Sequence, residues 1–122
     1  MVSNYKELDV WNLAMQLVEE VYNITDGFPK KEQYRLTDQL CRAVVSVPSN
    51  IAEGSKRHTT KEFLRFLGIA QGSLAEVETQ VIIAFRLHYI TQMVLDNLLQ
   101  IAQVLGKKMH ALSNALERKV AV

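Results

Sequence analysis

The sequence predicts an all-α fold, an antiparallel up-down-up-down four-helix bundle, and three observations lead to this prediction. Nearly half of the 122 residues, 48%, are hydrophobic, and only two prolines and five glycines interrupt them. The apolar residues recur with helical spacing in four segments, which short polar connections separate. The third segment is apolar on two faces, which indicates neighbours beyond the helices of one bundle.

The first predicted helix covers residues 6–25 and ends at a turn signal. Gly27 can adopt a positive φ, and Pro29 suits the first turn of a following helix. Polar residues occupy one side of the helix, and we expect the apolar seam on the other side to face the core. This seam consists of Leu8, Trp11, Met15, Val18 and Tyr22.

The second predicted helix covers residues 30–53, with a bend near Pro48. Because proline lacks a backbone N–H, the carbonyl of Val44 loses its helical donor, and we expect a bend or a break at this point. The residues predicted to be buried are Leu36, Leu40, Ala43, Val44, Val47 and Ile51.

The third and fourth predicted helices cover residues 61–87 and 92–117. Thr59 and Glu62 have the spacing of a capping box at the start of the third helix. The stripe of this helix expected to face the core is Phe63, Leu67, Ala70, Leu74, Val77, Val81 and Ala84. The heptad seam of the fourth helix is Leu95, Leu98, Ala102, Leu105, Met109, Leu112 and Leu116.

A second stripe on the third helix, nearly opposite the first, is predicted to serve oligomer contacts or close helix packing. It consists of Leu64, Gly68, Gly72, Ala75, Thr79, Ile82 and Ile83. Gly68 and Gly72 share one face, where another backbone can approach closely. That backbone is either a neighbouring helix of the same bundle or another copy of the chain. The apolar seam already present on the other side favours another copy.

Composition assigns the chain to a broad class. Its length suits one domain, residues 1–122. No apolar run approaches the roughly 20 residues of a membrane span, and residues 1–7 lack a secretory signal pattern. The single Cys41 cannot form an internal disulfide, which suits a reducing compartment. We therefore expect a cytoplasmic protein with no membrane partner.

Patterns typical of catalysis or metal binding do not occur in the sequence. No histidine follows a glutamate by three residues, as di-iron bundles require. Glu76 and Glu78 point about 200° apart around their helix. The histidines and Cys41 show no zinc-ligand spacing, and no phosphate loop or nucleophile motif is present. We expect no enzymatic activity, no catalytic residue, no metal, no cofactor and no small-molecule substrate.

Positive residues cluster in the sequence although the formal net charge is only +1. Residues 1–29 are acidic, whereas the segment 30–65 and the carboxyl end are basic. This distribution can build a basic patch on a nearly neutral molecule. The candidate residues for nucleic-acid contact are Lys30, Lys31, Arg35, Lys56, Arg57, Lys61 and Arg65.

Two stretches carry a family resemblance. Residues 36–54 end in Pro-Ser-Asn-Ile-Ala-Glu-Gly, and residues 72–80 read Gly-Ser-Leu-Ala-Glu-Val-Glu-Thr-Gln. With Trp11 and the Phe28-Pro29 pair, they closely resemble the four-helix-bundle family of proteins encoded in intervening sequences of bacterial large-subunit ribosomal RNA genes. The resemblance covers nearly the whole chain and implies an all-helical protomer in a ring-like homo-oligomer, most often a pentamer.

The accessory proteins of diversity-generating retroelements are similar in fold to this family. They are basic pentamers that engage nucleic acid and a reverse transcriptase. The nearly neutral chain described here departs from that branch, so we expect weak rather than strong nonspecific nucleic-acid binding. The family offers no catalytic residues to carry over.

The shared motifs also place a set of polar residues on neighbouring helices. They are Arg42, Ser46, Ser49, Asn50, Glu53, Ser73 and Glu76. In a partly buried structural network, loss of one partner costs about 1–3 kcal/mol. The pattern favours this structural role and leaves ligand contact as the alternative.

The functional hypothesis is a non-enzymatic homo-oligomeric scaffold that weakly binds RNA, DNA or a nucleic-acid enzyme. A ring would repeat a modest patch, so weak contacts would add together. The alternative is a protein-protein interaction adaptor without nucleic-acid binding, with the acidic first helix or a ring face docking the partner. An enzyme or metal protein is the least favoured hypothesis.

Overall fold

The computed structural model describes residues 4–121 and shows an all-α chain with four helices packed as a bundle, as the sequence predicts for the single chain. The helices are α1 (Asp9–Thr25), α2 (Leu36–Ser55), α3 (Thr60–Arg86) and α4 (Gln92–Ala121), with short 3₁₀ turns at Tyr5–Glu7 and Lys30–Glu32. Each helix packs against two others in the closed order α1, α2, α3, α4, whereas the backbones of the diagonal pairs do not approach closely. None of these helices is both long enough and apolar enough to cross a bilayer.

The hydrophobic core lies between the four helices and takes one face from each. From α3 it includes all of the stripe that begins at Phe63, and from α2 all six residues predicted to be buried. Six of the seven seam residues of α4 are buried, and Leu112 is half-buried against the core. Helical periodicity therefore identifies the core-facing sides of three helices.

The core face of α1 differs from the predicted seam. The buried apolar residues are Val10, Ala14, Leu17 and Val21. Met15 and Tyr22 of the predicted seam are 36% and 47% exposed, and the other seam residues are half-buried. This helix has two apolar stripes side by side, and its contacts with α2 and α4 bury the one with smaller side chains.

Helices α1 and α2 begin later than residues 6 and 30, because local backbone geometry interrupts each start. Leu8 is extended, with φ −76° and ψ 130°, and separates the first 3₁₀ turn from α1. Arg35, with φ −121° and ψ −109°, separates the second 3₁₀ turn from α2. The carboxylate of Glu32 accepts a hydrogen bond from the backbone N–H of Leu36 at 3.3 Å, which satisfies a free donor in the first turn of α2.

Pro48 lies inside α2 without breaking it, since the helix continues from Leu36 to Ser55. The lost hydrogen bond to Val44 remains a local cost. Val44, Val47 and Ile51 are completely buried around the proline, so packing on α1 and α3 holds both halves of the helix in place.

Helix α3 covers Thr60–Arg86 where periodicity predicts 61–87, and α4 covers Gln92–Ala121 where it predicts 92–117. The hydroxyl of Thr59 accepts the backbone N–H of Glu62 at 3.2 Å, so it caps α3. At the other end, His88 adopts a left-handed φ of 64° and the chain reverses into α4.

The two connections at one end of the bundle are joined by a buried carboxylate. The phenol of Tyr89 donates a hydrogen bond to Glu32 at 2.8 Å, and the Tyr89 ring lies 5.4 Å from that of Phe28. Only 8% of Glu32 is exposed. The hydrogen bond from Tyr89 lowers the pKa of Glu32, against the opposing effect of burial, and the backbone N–H of Leu36 and nearby Arg35 also lower it.

We expect Tyr89→Phe to lower stability near neutral pH and to weaken its dependence on pH. A carboxyl whose pKa is lower in the folded state stabilises the fold above its unfolded pKa, which is about 4.3 for glutamate. That contribution disappears as the pH falls through the folded pKa. Chemical denaturation of the wild type and the variant between pH 7 and pH 3 measures the difference.

The matched control for this prediction is Tyr34→Phe, since Tyr34 is 85% exposed. It should reproduce the wild-type pH profile. If Tyr89→Phe also gave a curve parallel to that of the wild type, the hydrogen bond would not be responsible for the acid-side loss of stability.

Candidate functional surfaces

The residues predicted to contact nucleic acid are all exposed, but the structure divides them between opposite ends of the bundle. Lys30, Lys31 and Arg35 lie at the start of α2, and the other four lie around the α2–α3 connection. The 20 residues of α2 separate the groups, a length of about 30 Å at 1.5 Å per residue. One protomer therefore carries two small basic clusters rather than one continuous patch.

The cluster at the α2–α3 connection is built around a buried aromatic ring. The guanidinium carbons of Arg57 and Arg65 lie 4.7 and 4.8 Å from the ring centre of Phe66, which is only 5% exposed. Arg57 also pairs with Glu53 at 3.4 Å. Cation–π contacts and this ion pair orient both guanidinium groups at the surface.

The carboxyl end of α4 lies at the same end of the bundle as this cluster. Its basic residues were not among those predicted to contact nucleic acid. A methyl group added at Gly106 would lie at ordinary contact distance from Leu74, so these two residues face each other. Lys119 lies as many residues after Gly106 as Lys61 lies before Leu74. In an antiparallel helix pair this register brings Lys61 and Lys119 to the same level. This proximity is predictable from the sequence if the antiparallel order of the helices is combined with the basic residues near the carboxyl end.

This end of the bundle, named the basic end below, has an excess of three positive charges on a chain of net charge +1. It comprises the start of α1 with Lys108, the ion-pair partner of Asp9, together with the α2–α3 connection and the last turn of α4. Its basic side chains are Lys6, Lys56, Arg57, Lys61, Arg65, Lys108, Arg118 and Lys119. Its acidic side chains are Glu7, Asp9, Glu53, Glu62 and Glu117.

The second stripe of α3, named the α3 face below, points away from the core. A methyl group added at Gly68 or Gly72 would meet no other atom within 4 Å. Ile82 and Ile83 are 37% and 40% exposed, and Leu64 is half-buried. These two glycines therefore do not serve to pack a neighbouring helix of the same bundle. The α3 face is a shallow apolar surface that the protomer itself leaves open.

A second open apolar surface lies between α1 and α2 and is named the α1/α2 face below. It contains Trp11, Met15, Val18, Tyr22, Val45 and Ala52. A cleft of about 310 Å³ runs along it, and an adjoining cleft reaches Tyr22 and Cys41. Helical periodicity predicts a core position for most of the α1 residues, so this surface was not predicted.

The predicted polar residues divide into one shared network and several separate pairs. Ser46 and Ser73 join α2 to α3 through a hydroxyl–hydroxyl hydrogen bond of 2.8 Å. The amide of Asn50 donates to the hydroxyl of Ser46 at 2.9 Å and to its carbonyl at 2.8 Å. These three residues form a structural tie between two helices.

The remaining polar residues lie outside this tie. Arg42 pairs with Asp38 of its own helix at 3.0 Å, and Glu53 pairs with Arg57. Ser49 borders the α1/α2 cleft, and Glu76 is exposed on α3. A cleft of about 250 Å³ lies between α2 and α3 beside Arg42, Ser46, Ser73 and Glu76.

Gln80 closes one end of this α2–α3 cleft and also borders the α3 face. Its side chain is 8% exposed, and its Oε1 is buried without a hydrogen-bond donor among the described residues. A buried acceptor of this kind costs about 1–3 kcal/mol unless a donor reaches it.

The described residues were also compared with the side-chain groupings that bind metal ions. Within residues 4–121, no three histidine, cysteine, aspartate or glutamate side chains are grouped so that they could hold a metal ion. Cys41 is half-buried beside Thr25, whose hydroxyl lies 3.7 Å from the thiol sulfur.

Comparison with known proteins agrees with this description. A family model described as "23S rRNA-intervening sequence protein" matches residues 6–111. A crystal structure of a protein of unknown function from the S23 ribosomal protein family of Bacteroides thetaiotaomicron is similar in fold, with a TM-score of 0.80 and 18% sequence identity. The alignment covers 86% of this chain and 95% of the other. No curated protein matches the chain.

Proposed function

Because the chain belongs to the 23S rRNA-intervening sequence protein family, we propose that it acts as a non-enzymatic homo-oligomeric scaffold that binds RNA or DNA weakly through its basic end. The observation that carries the proposal is the convergence of three separate chain segments into a region with three excess positive charges. Such a region attracts phosphate without requiring a particular base sequence. A nucleic-acid enzyme that shares the bound strand is the accompanying protein partner.

Self-association is the second part of the proposal. The protomer leaves both the α3 face and the α1/α2 face open, and exposed apolar patches of this kind mark association sites. A ring, with five copies by family resemblance, would present several basic ends to one nucleic acid. Weak individual contacts then add up through effective concentration.

Salt dependence of RNA binding tests the nucleic-acid proposal. In Lys56→Gln/Lys61→Gln/Arg118→Gln, three positive charges of the basic end are removed. We expect weaker binding to a structured RNA and a flatter plot of log affinity against log salt concentration. The slope should fall by roughly 2 to 3 if all three side chains contact phosphate, at about 0.7–0.9 per contact.

The opposite end of α2 provides a matched control. Lys30→Gln/Lys31→Gln/Arg35→Gln removes the same kinds and number of charges and should change the slope much less. Equal effects from the two triple variants would mean that net charge, and not the basic end, governs binding. Failure of the wild type to bind RNA or DNA at low salt would remove the nucleic-acid proposal.

The second candidate function is a protein-protein interaction adaptor without nucleic-acid binding. It is favoured by the charges outside the basic end, where acidic residues exceed basic ones, with Glu19, Glu20 and Asp26 on or just after α1. Affinity capture from a bacterial lysate with and without nuclease distinguishes the two functions. Partners that persist after nuclease treatment support the adaptor.

A further inference from the structure

We infer that copies of this chain assemble head to tail, with the α1/α2 face of one protomer seated on the α3 face of the next. This inference rests on the self-association in the proposed function and specifies the two contact surfaces. Each protomer carries both surfaces on different helices, so the contact is heterologous. A heterologous contact that closes on itself generates a ring.

The shapes of the two surfaces are complementary. The α1/α2 face presents bulky side chains, including Trp11, Met15 and Tyr22. The α3 face presents Gly68 and Gly72, with open space where side chains would stand. Large residues of one copy can therefore enter the shallow surface of the next, as side chains fill the space between closely packed helices.

Pairing the α3 face with itself would bring the glycines of two copies together, so only the α3 face would be used in the contact. The same arrangement would leave the α1/α2 face uncovered, with Met15 at 36%, Tyr22 at 47% and Val45 at 39% exposure. Uncovered apolar area reduces the stability of such an assembly. The head-to-tail contact covers both surfaces at once.

The relative directions of the helices fit this arrangement. Helices α1 and α3 form a diagonal pair in the bundle and carry the two faces on either side of α2. In the up-down-up-down topology they run in the same direction. A rotation about an axis along the bundle then brings the end of α3, at Arg86, near the level of Asp26, just after the end of α1 in the next copy. Opposite charges at an interface favour this register.

The buried acceptor of Gln80 is a separate observation that favours a covered α3 face. Its cleft is shared with Gly72, Ala75, Thr79 and Ile83 of that face. The acceptor has no donor within its own protomer among the described residues. Because this oxygen is itself buried, the Gln80 amide must turn toward the α3 face before a donor of a neighbouring copy can reach it.

Two single variants and their mixture test the contact. Gly72→Glu places a charged side chain on the α3 face, and Val45→Glu places one on the α1/α2 face. Neither position is packed in the protomer, since Gly72 has open space and Val45 is 39% exposed. We expect the wild type to be oligomeric and each variant to have the mass of one chain by light scattering.

Mixing the two variants is the decisive step. Gly72→Glu retains a functional α1/α2 face and Val45→Glu retains a functional α3 face. A head-to-tail contact therefore predicts one complex of exactly two chains, one of each kind, that cannot grow further. Gln100→Glu, on the exposed side of α4, is the control and should remain oligomeric like the wild type.

Each remaining outcome contradicts the inference in a recognisable way. If only Gly72→Glu lost its oligomeric state and the mixture gave no complex, the α3 face would pair with itself. If both variants stayed oligomeric, the contact would lie elsewhere on the protein. A wild type that remained a single chain would instead remove the self-association in the proposed function. Circular dichroism of each variant establishes that a change in mass does not reflect unfolding.

Discussion

Gly54→Ala is expected to destabilise the protein by about 1–3 kcal/mol, although alanine is the better helix former. A methyl group at this position would lie 2.6 Å from Cβ of Phe66 and 3.0 Å from Cδ1 of Phe63. Because Cβ of Phe66 is fixed to the backbone, no side-chain rotation can relieve the first contact. Helices α2 and α3 must separate locally, and overpacking of this kind costs typically 1–3 kcal/mol and occasionally more.

Helix propensity acts in the opposite direction but is too small to compensate fully for a backbone shift. Replacing glycine by alanine within a helix gains about 1 kcal/mol. The matched control is Gly106→Ala in α4, where the new methyl would meet only Cδ2 of Leu74 at an ordinary 3.5 Å. We expect this control to stabilise the protein by about 0.5–1 kcal/mol.

Denaturant unfolding at one fixed protein concentration measures both variants, since self-association makes stability depend on concentration. The predicted signs are opposite: a lower midpoint for Gly54→Ala and a higher one for Gly106→Ala. An increased midpoint for Gly54→Ala would show that the α2–α3 contact adjusts more easily than the distances to Phe63 and Phe66 indicate.

The glycines show why a sequence pattern predicts helices better than it predicts contacts. Gly68 and Gly72 have the four-residue spacing of a close helix contact, yet both face open space in the protomer. Gly54 has no such partner in the sequence and follows Glu53 at the edge of a polar connection. It nevertheless allows a close approach of α2 and α3, because the chain turns after it and brings Phe63 and Phe66 over it.

Helix α1 shows a second limit of the same reasoning. Periodicity identifies an apolar stripe but does not state which of two adjacent stripes is covered by the same chain. On α1 the stripe with the larger side chains, including Trp11 and Met15, lies at the edge of the core, and Ala14 and Leu17 lie within it. Which stripe is buried depends on where the neighbouring helices cross α1, and these positions depend on the whole fold.

The basic end was only partly predictable for a related reason. Residues 56–65 are close in sequence and were identified as a group, whereas Lys119 is distant in sequence and reaches them through the antiparallel pairing of α3 and α4. Lys30 and Lys31 precede this cluster by one helix length and therefore lie at the other end. Charged residues within one connection stay close together in the folded protein, whereas charged residues at the two ends of a helix do not.

Phe63→Ala is expected to cause the largest loss of stability among the variants described, about 3–5 kcal/mol. Phe63 is completely buried, and truncating a buried phenylalanine removes apolar contacts and leaves a cavity. For a chain of this length, each kcal/mol corresponds to about 4 °C in the melting temperature, so the midpoint should fall by roughly 12–20 °C. Phe85→Ala, at a half-buried position on the same helix, should cost clearly less.

Combining Phe63→Ala with Gly54→Ala tests whether both losses arise from the same contact between α2 and α3. The new methyl group at residue 54 can occupy part of the space vacated by the Phe63 ring, so the double variant should lose less stability than the two single variants together. A coupling free energy of about 1 kcal/mol is typical for residues in contact. The clash with Cβ of Phe66 remains in the double variant, and full compensation is therefore not expected. Strict additivity would mean that the two residues are energetically independent and that the close approach at Gly54 depends on Phe66 alone.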